Sequence, residues 1–409
     1  MVSRPASRRL RFHLPLSAAL LFMLAPALQT ACSADDEVAG PGEGNTNGAG
    51  NSSGGGSGTG TATGSASPTG SPTGSTSPTG STSPTGTPTS PTPTTNPTTP
   101  APATTVSPKV AGCDIYPPSN AWNKNISTDA VHAQSATFIA NMGPATGLHA
   151  DWGTSAEQYG IPINSGAPGT PQVLTWTTSW GPKESDKLLC PGAGGNFCYP
   201  IPTTSLIEGG PSAASGADRH LLFLDTTGAP TNCTLYELYK TQNYTGSGFT
   251  AANGAIFHLN SNALRPDGWT SGDAAGLPIL PGLVRYAEVT AGAVKHALRF
   301  TVGSTQQGYI HPATHAAGSA NASLPPMGLR VRLKAGKTVA GASPAAQTLI
   351  TAMKTYGLIL ADNGSNWYIT GDMNDGWSTI QSGIQSAFNQ IHGSDFEAVN
   401  SGAISTAGL

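Results

Sequence analysis

Apolar and polar positions alternate in short runs along the second half of this chain, and Gly, Pro, Asn and Asp clusters separate them. That pattern predicts strands. Gln172 to Trp176 alternates over five residues, and Arg219 to Asp225 is almost continuously apolar, which predicts a strand buried on both faces. Cys233 to Tyr239 follows after a Gly/Pro/Asn turn and predicts a hairpin with it. Further strands are expected at Ala255 to Leu259, Ala297 to Val302, Leu329 to Lys334, Leu358 to Ala361 and Trp367 to Thr370. Helical spacing is rarer. Ser343-Pro344 opens a helix over Ala345 to Tyr356 that Gly357 ends, with Leu349, Ile350, Met353 and Tyr356 on one face. Two more helices are expected through Ala133 to Met142 and Ile380 to Gln390, with a short turn at Asp273 to Gly276. Clustered strands and few helices predict a mainly β domain: an antiparallel β-sandwich or distorted barrel with peripheral helices.

The first quarter has a different pattern. Arg4, Arg8, Arg9 and Arg11 precede an apolar stretch from Leu14 to Leu28 that Pro15 and Pro26 interrupt, the layout of an export signal. Its end, Leu28-Gln29-Thr30-Ala31-Cys32, resembles a bacterial lipoprotein signal. That resemblance implies cleavage before Cys32, lipidation of its sulfur and a membrane anchor, although Gln29 stands where that family usually has Leu. Plain secretion is the alternative. Residues 1–31 are thus expected to be the signal, and 32–108 a Ser/Pro/Thr/Gly tether repeating Ser-Pro-Thr-Gly, as at Ser67-Pro68-Thr69-Gly70 and Ser71-Pro72-Thr73-Gly74. Such a segment buries too little surface to order itself and reaches about 45–50 Å as flexible coil. Residues 109–409 remain as one β-rich, extracytoplasmic domain.

Composition narrows the partners. A net charge of −3 and 10% charged residues lack the basic footprint that nucleic acid requires. Beyond Cys32 the cysteines are Cys113, Cys190, Cys198 and Cys233, an even number that predicts two disulfides among three connectivities. Cys190 and Cys198 flank a flexible loop, which favours Cys190–Cys198 with Cys113–Cys233.

Arg219-His220, Leu235-Tyr236-Glu237-Leu238-Tyr239, Leu259 to Pro266, Leu277 to Tyr286, His296 to Phe300, Pro325 to Gly328 and Ala361 to Tyr368 together resemble a group of secreted bacterial proteins. The resemblance implies one ancestral domain and an exported location, and it carries no catalytic role.

Nucleophile elbow, His-Glu-x-x-His, P-loop and Rossmann signatures are all missing from residues 109–409. What stands out instead is ionisable residues within apolar strands. His220, Glu237, His296 and Arg299 would supply a base, an acid and a cation if they met in one cleft, with His311 and His315 lining it. Separate satisfaction of each by backbone or ion pairs is the alternative. His311 and His315, and the pairs at His149-Ala150-Asp151 and Asp218-Arg219-His220, also raise a divalent metal, although no spacing defines a ligand set. No other cofactor is implied. Trp269 and Trp367, with Asp362 and Asn363, suit a sugar-stacking surface, yet Asp362-Asn363-Gly364 equally suits a tight turn between strands and tryptophan equally suits a core. Glu184, Asp186, Glu208, Asp218, Asp225 and Asp267 complete the candidate carboxylates. The expectation is a tethered protein acting on extracellular polysaccharide as hydrolase or lyase. Its rivals are a carbohydrate-binding or adhesin domain and a structural envelope lipoprotein.

Overall fold

The apolar run at Leu221-Leu222-Phe223-Leu224 forms a strand, Leu221–Asp225, with all four side chains buried. In the computed structural model, which describes residues 106–192, 195–214 and 216–409, this strand holds the centre of a four-stranded sheet. The order is Asn253–His258, Thr234–Tyr239, Leu221–Asp225, Ile163–Gly166. The expected export signal, Cys32 and the expected tether up to residue 105 lie outside the described residues.

The pleat of this sheet separates two cores. Leu222, Leu224, Leu235, Ala255 and Phe257 join the larger one. Leu221, Phe223, Tyr236 and Leu238 join a smaller one with Leu174, Tyr199, Ile201 and Phe249. Three of those last four belong to a three-stranded sheet ordered Cys198–Tyr199, Gln172–Trp176, Phe249–Ala251.

A six-stranded sheet also contributes to the larger core, in the order Phe396–Ala398, Arg330–Leu333, Leu358–Asn363, Leu298–Val302, Tyr368–Thr370, His149–Asp151. The helices Pro344–Thr355 and Trp377–Phe388 pack on each other and against this sheet. Ser343 caps the first of them by accepting from the Ala346 N–H at 3.3 Å. Gly357 ends it at φ +71, where a Cβ would meet the Val331 carbonyl oxygen at 2.3 Å, so glycine is required there.

The domain is therefore mainly β, with sandwich-like sheets and no closed barrel. The sheets are mixed rather than purely antiparallel. Leu298–Val302 runs parallel to Leu358–Asn363, Tyr368–Thr370 to His149–Asp151, Ile163–Gly166 to Leu221–Asp225, and Gln172–Trp176 to Phe249–Ala251. Each parallel pair needs a long crossover, which hydrophobic alternation does not reveal. The segment through Asp362-Asn363-Gly364 is likewise no hairpin, because Leu298–Val302 sits between the strands it connects.

The disulfides join Cys113 to Cys233 and Cys190 to Cys198, with Cα atoms 6.0 and 5.0 Å apart. They suit an oxidising, extracytoplasmic setting. No helix among the described residues is long and apolar enough to cross a membrane. All the elements named belong to one compact unit.

Candidate active site

Register across the six-stranded sheet lines up a polar face. His149 pairs with Tyr368, Tyr368 with Thr301, and Thr301 with Asp362. Asp151 pairs with Thr370, and the guanidinium of Arg299, two residues before Thr301 on the same face, donates to the Thr370 hydroxyl. A β-bulge between Phe300 and Thr301 makes this possible, because it shifts the register so that Asp362 rather than Ala361 faces Thr301. Bulges re-aim side chains in this way next to active sites.

The four-stranded sheet supplies the facing groups. His220 stands immediately before Leu221–Asp225, and Tyr239 ends Thr234–Tyr239. Arg219, immediately before His220, holds a left-handed φ of +50 and is tied to the carbonyls of Thr241 and Gly210 at 2.7 Å each. Glu208 arrives from a loop whose backbone N–H bonds the His220 carbonyl at 2.9 Å.

Arg299 is the buried hub. It grips both oxygens of Asp273, which is fully buried, and lies 3.8 Å from Asp362 Oδ2. Burial, reinforced by the Asp273 charge, pushes the Asp362 carboxyl up to about 7, against the pull of Arg299. Burial also raises Asp151, although the Tyr159 hydroxyl donates to it. Glu208 goes the other way. Burial works against its charge, but His220, 2.7 Å from Nδ1 to Oε2, overcomes this and holds the carboxyl below its ordinary value. Burial equally opposes the charge on His220, and Glu208, Asp218 and Asp273 overcome it, pushing the imidazole up to about 10. The side chains of Glu208 and Asp362 remain 27% and 21% exposed.

Aromatic groups frame these acids. His149 stacks on Tyr368 with centroids 4.0 Å apart, and the Tyr159 hydroxyl lies 3.5 Å from His149 Nε2. The Tyr239 ring sits 5.6 Å from that of His220, and its hydroxyl donates to Asp218 at 3.3 Å. Tyr159, Tyr239 and Tyr368 are all half-buried.

Only part of the predicted set converges. Asp362 reaches the site, with His220 and Arg299 beneath it. His220 is not a free base, because Nδ1 faces Glu208 and Nε2 faces the Gly272 carbonyl at 3.1 Å. Glu237 is fully buried and accepts the backbone N–H groups of Ile279 and Leu280, so it caps a turn and meets no solvent. His296 lies apart, between Glu288 at 3.0 Å and the Ala297 carbonyl at 2.8 Å. His311 is exposed and paired with Asp267 at 2.8 Å. His315 holds the Ala274 carbonyl at 2.7 Å, one residue from Asp273. Asn363 ties down a neighbouring loop through Thr305 and the Ala317 carbonyl.

Trp367 offers no face to a sugar, being fully buried between Phe300 and Phe396. Trp269 is half-buried against Arg265, 5.6 Å from its guanidinium. Among the described residues no group of three or more His, Cys, Asp or Glu is arranged to hold a metal ion.

In the sequence Asp273 stands only in a turn and Asp151 only as half of a His/Asp pair, and no local pattern marks the tyrosines. The signal that finds Asp151 and Tyr368 is the alternation His149/Asp151, Tyr368/Thr370 and Arg299/Thr301, three polar edges that only register brings together. No family model, curated protein or solved structure matches the chain.

Proposed function

We propose that this protein is a glycan hydrolase, carried outside the cytoplasm on its N-terminal tether, with Asp362 as the acid and Glu208 as the base or nucleophile. The observation that supports it most is two partly exposed carboxyls in one site whose neighbours push their ionisation apart. Glycoside hydrolysis requires that division of labour. At neutral pH and below, Asp362 retains a proton to give to the glycosidic oxygen as the C–O bond breaks. Glu208, already ionised, either takes a proton from the attacking water or attacks the anomeric carbon itself. The half-buried Tyr159, Tyr239 and Tyr368 suit the apolar faces of sugar rings. A lyase fits less well, because it needs a cation free to neutralise a uronate. Arg299 is 4% exposed and committed to Asp273.

The test incubates the full chain, disulfides formed, with neutral and acidic polysaccharides, following reducing ends and unsaturated uronates together. Hydrolysis is expected to release reducing ends without unsaturation and to fall steeply in Asp362→Asn and Glu208→Gln. Unsaturated products would point to a lyase, and binding without cleavage to a carbohydrate-binding module.

A further inference from the structure

Among the described residues, Arg330 and Arg219 are the buried arginines with no carboxylate in contact, and Arg219 is held instead by the Thr241 and Gly210 carbonyls and the Asn243 side chain. Arg265, Arg285 and Arg299 each meet a carboxylate, in Asp186, Glu288 and Asp273. Arg330 is 4% exposed, and its guanidinium donates only to backbone carbonyls, those of Ala121, Lys124 and Tyr356. A buried cation without a counter-ion is costly, and neutral carbonyls satisfy its hydrogen bonds but not its charge. Beside it lies a cavity of about 70 Å³, lined also by Lys124, Asp129, His311, Ile359 and Ser401. One water needs only about 10–15 Å³, so this space holds several waters or one small polyatomic ion.

The charges around the cavity leave a positive excess. Lys124 pairs with Asp129 at 2.7 Å, and the charge of Asp129 also reaches Arg330, so two cations share this one carboxylate. Donors remain for a visitor as well. A guanidinium carries five N–H groups and an ammonium three, while Arg330 makes four bonds and the Lys124 ammonium one.

We propose that this cavity is a binding site for a singly charged oxyanion, a carboxylate or a sulfate ester, which supplies the missing counter-charge to Arg330 and is met at the rim by Lys124. The site is distinct from the carboxylate cluster around Asp362 and does not depend on that cluster being catalytic. The anion comes either as a free small molecule or as a group on an acidic polymer.

Calorimetric titration of the full chain at fixed ionic strength tests this, with acetate and methyl sulfate as free anions and oligogalacturonate as the polymer-borne one. Saturable binding with one anion per chain is expected. Lys124→Ala should weaken it about tenfold, the scale of one charged hydrogen bond. Asp129→Asn, which releases Lys124 and removes a repelling charge, should strengthen it. Both residues are at the rim, so neither variant threatens the fold. Tighter binding of the oligomer than of the free anions would identify a polymer as the source, and equal binding a free ion. Either of those outcomes sustains the site. No saturable binding by any of the three, or binding that both variants leave unchanged, would overturn it.

Discussion

Asp362 and Glu208 are both carboxylic acids, and their neighbours alone set them apart. Activity should therefore need Glu208 ionised and Asp362 protonated. It should fall as pH rises through about 7, and a pH–rate profile checks that limb. Asp362→Asn should lower turnover by roughly 10²–10⁴-fold while leaving circular dichroism unchanged. His220 acts through Glu208, so His220→Gln should move the acid limb of the same profile upward. His220 also has a stability signature. Its pKa is raised from 6.5 to about 10 on folding, so its contribution is complete below about 6.5 and is lost as pH climbs through about 10. Urea unfolding of the wild type across that window should show a decline that His220→Gln lacks.

At the level of elements, the site depends on strand register and on one buried ion pair. Arg299→Met would leave the fully buried Asp273 without its partner. That should cost about 3–5 kcal/mol in denaturant unfolding. Ser343→Ala, which removes only the cap of helix Pro344–Thr355, should cost about 1 kcal/mol. The strands themselves were legible. Gln172–Trp176 was readable to the residue, and Leu298–Val302 and Leu358–Asn363 to within two, because apolar periodicity is local. Their pairing was not, because Thr301 meets Asp362 only through a crossover and a bulge. For the same reason His220 was recognisable as a polar interruption, while its partner Glu208, on a loop, was not assignable to it. Glu237 and His296 looked like site residues because burial of an ionisable group marks a structural cap as strongly as a catalytic acid.

At the scale of the molecule, the two disulfides are unequal. Cys113–Cys233 closes a loop with a sequence separation of 120, against 8 for Cys190–Cys198. On loop-closure entropy the Cys113→Ser/Cys233→Ser variant should lose about 5 kcal/mol and the short-loop counterpart about 2.5 kcal/mol. Thermal denaturation of the two variants orders them. The distribution of aromatic residues has an optical consequence. Trp122, Trp152, Trp367 and Trp377 are sealed in the interior, whereas the walls of the carboxylate site are tyrosine. The emission of these four will therefore start blue, shift red only as the chain unfolds and stay blind to a sugar in the site, over a redder component from the half-buried Trp176, Trp180 and Trp269. Occupancy must be followed through tyrosine absorbance or through a label on the ligand.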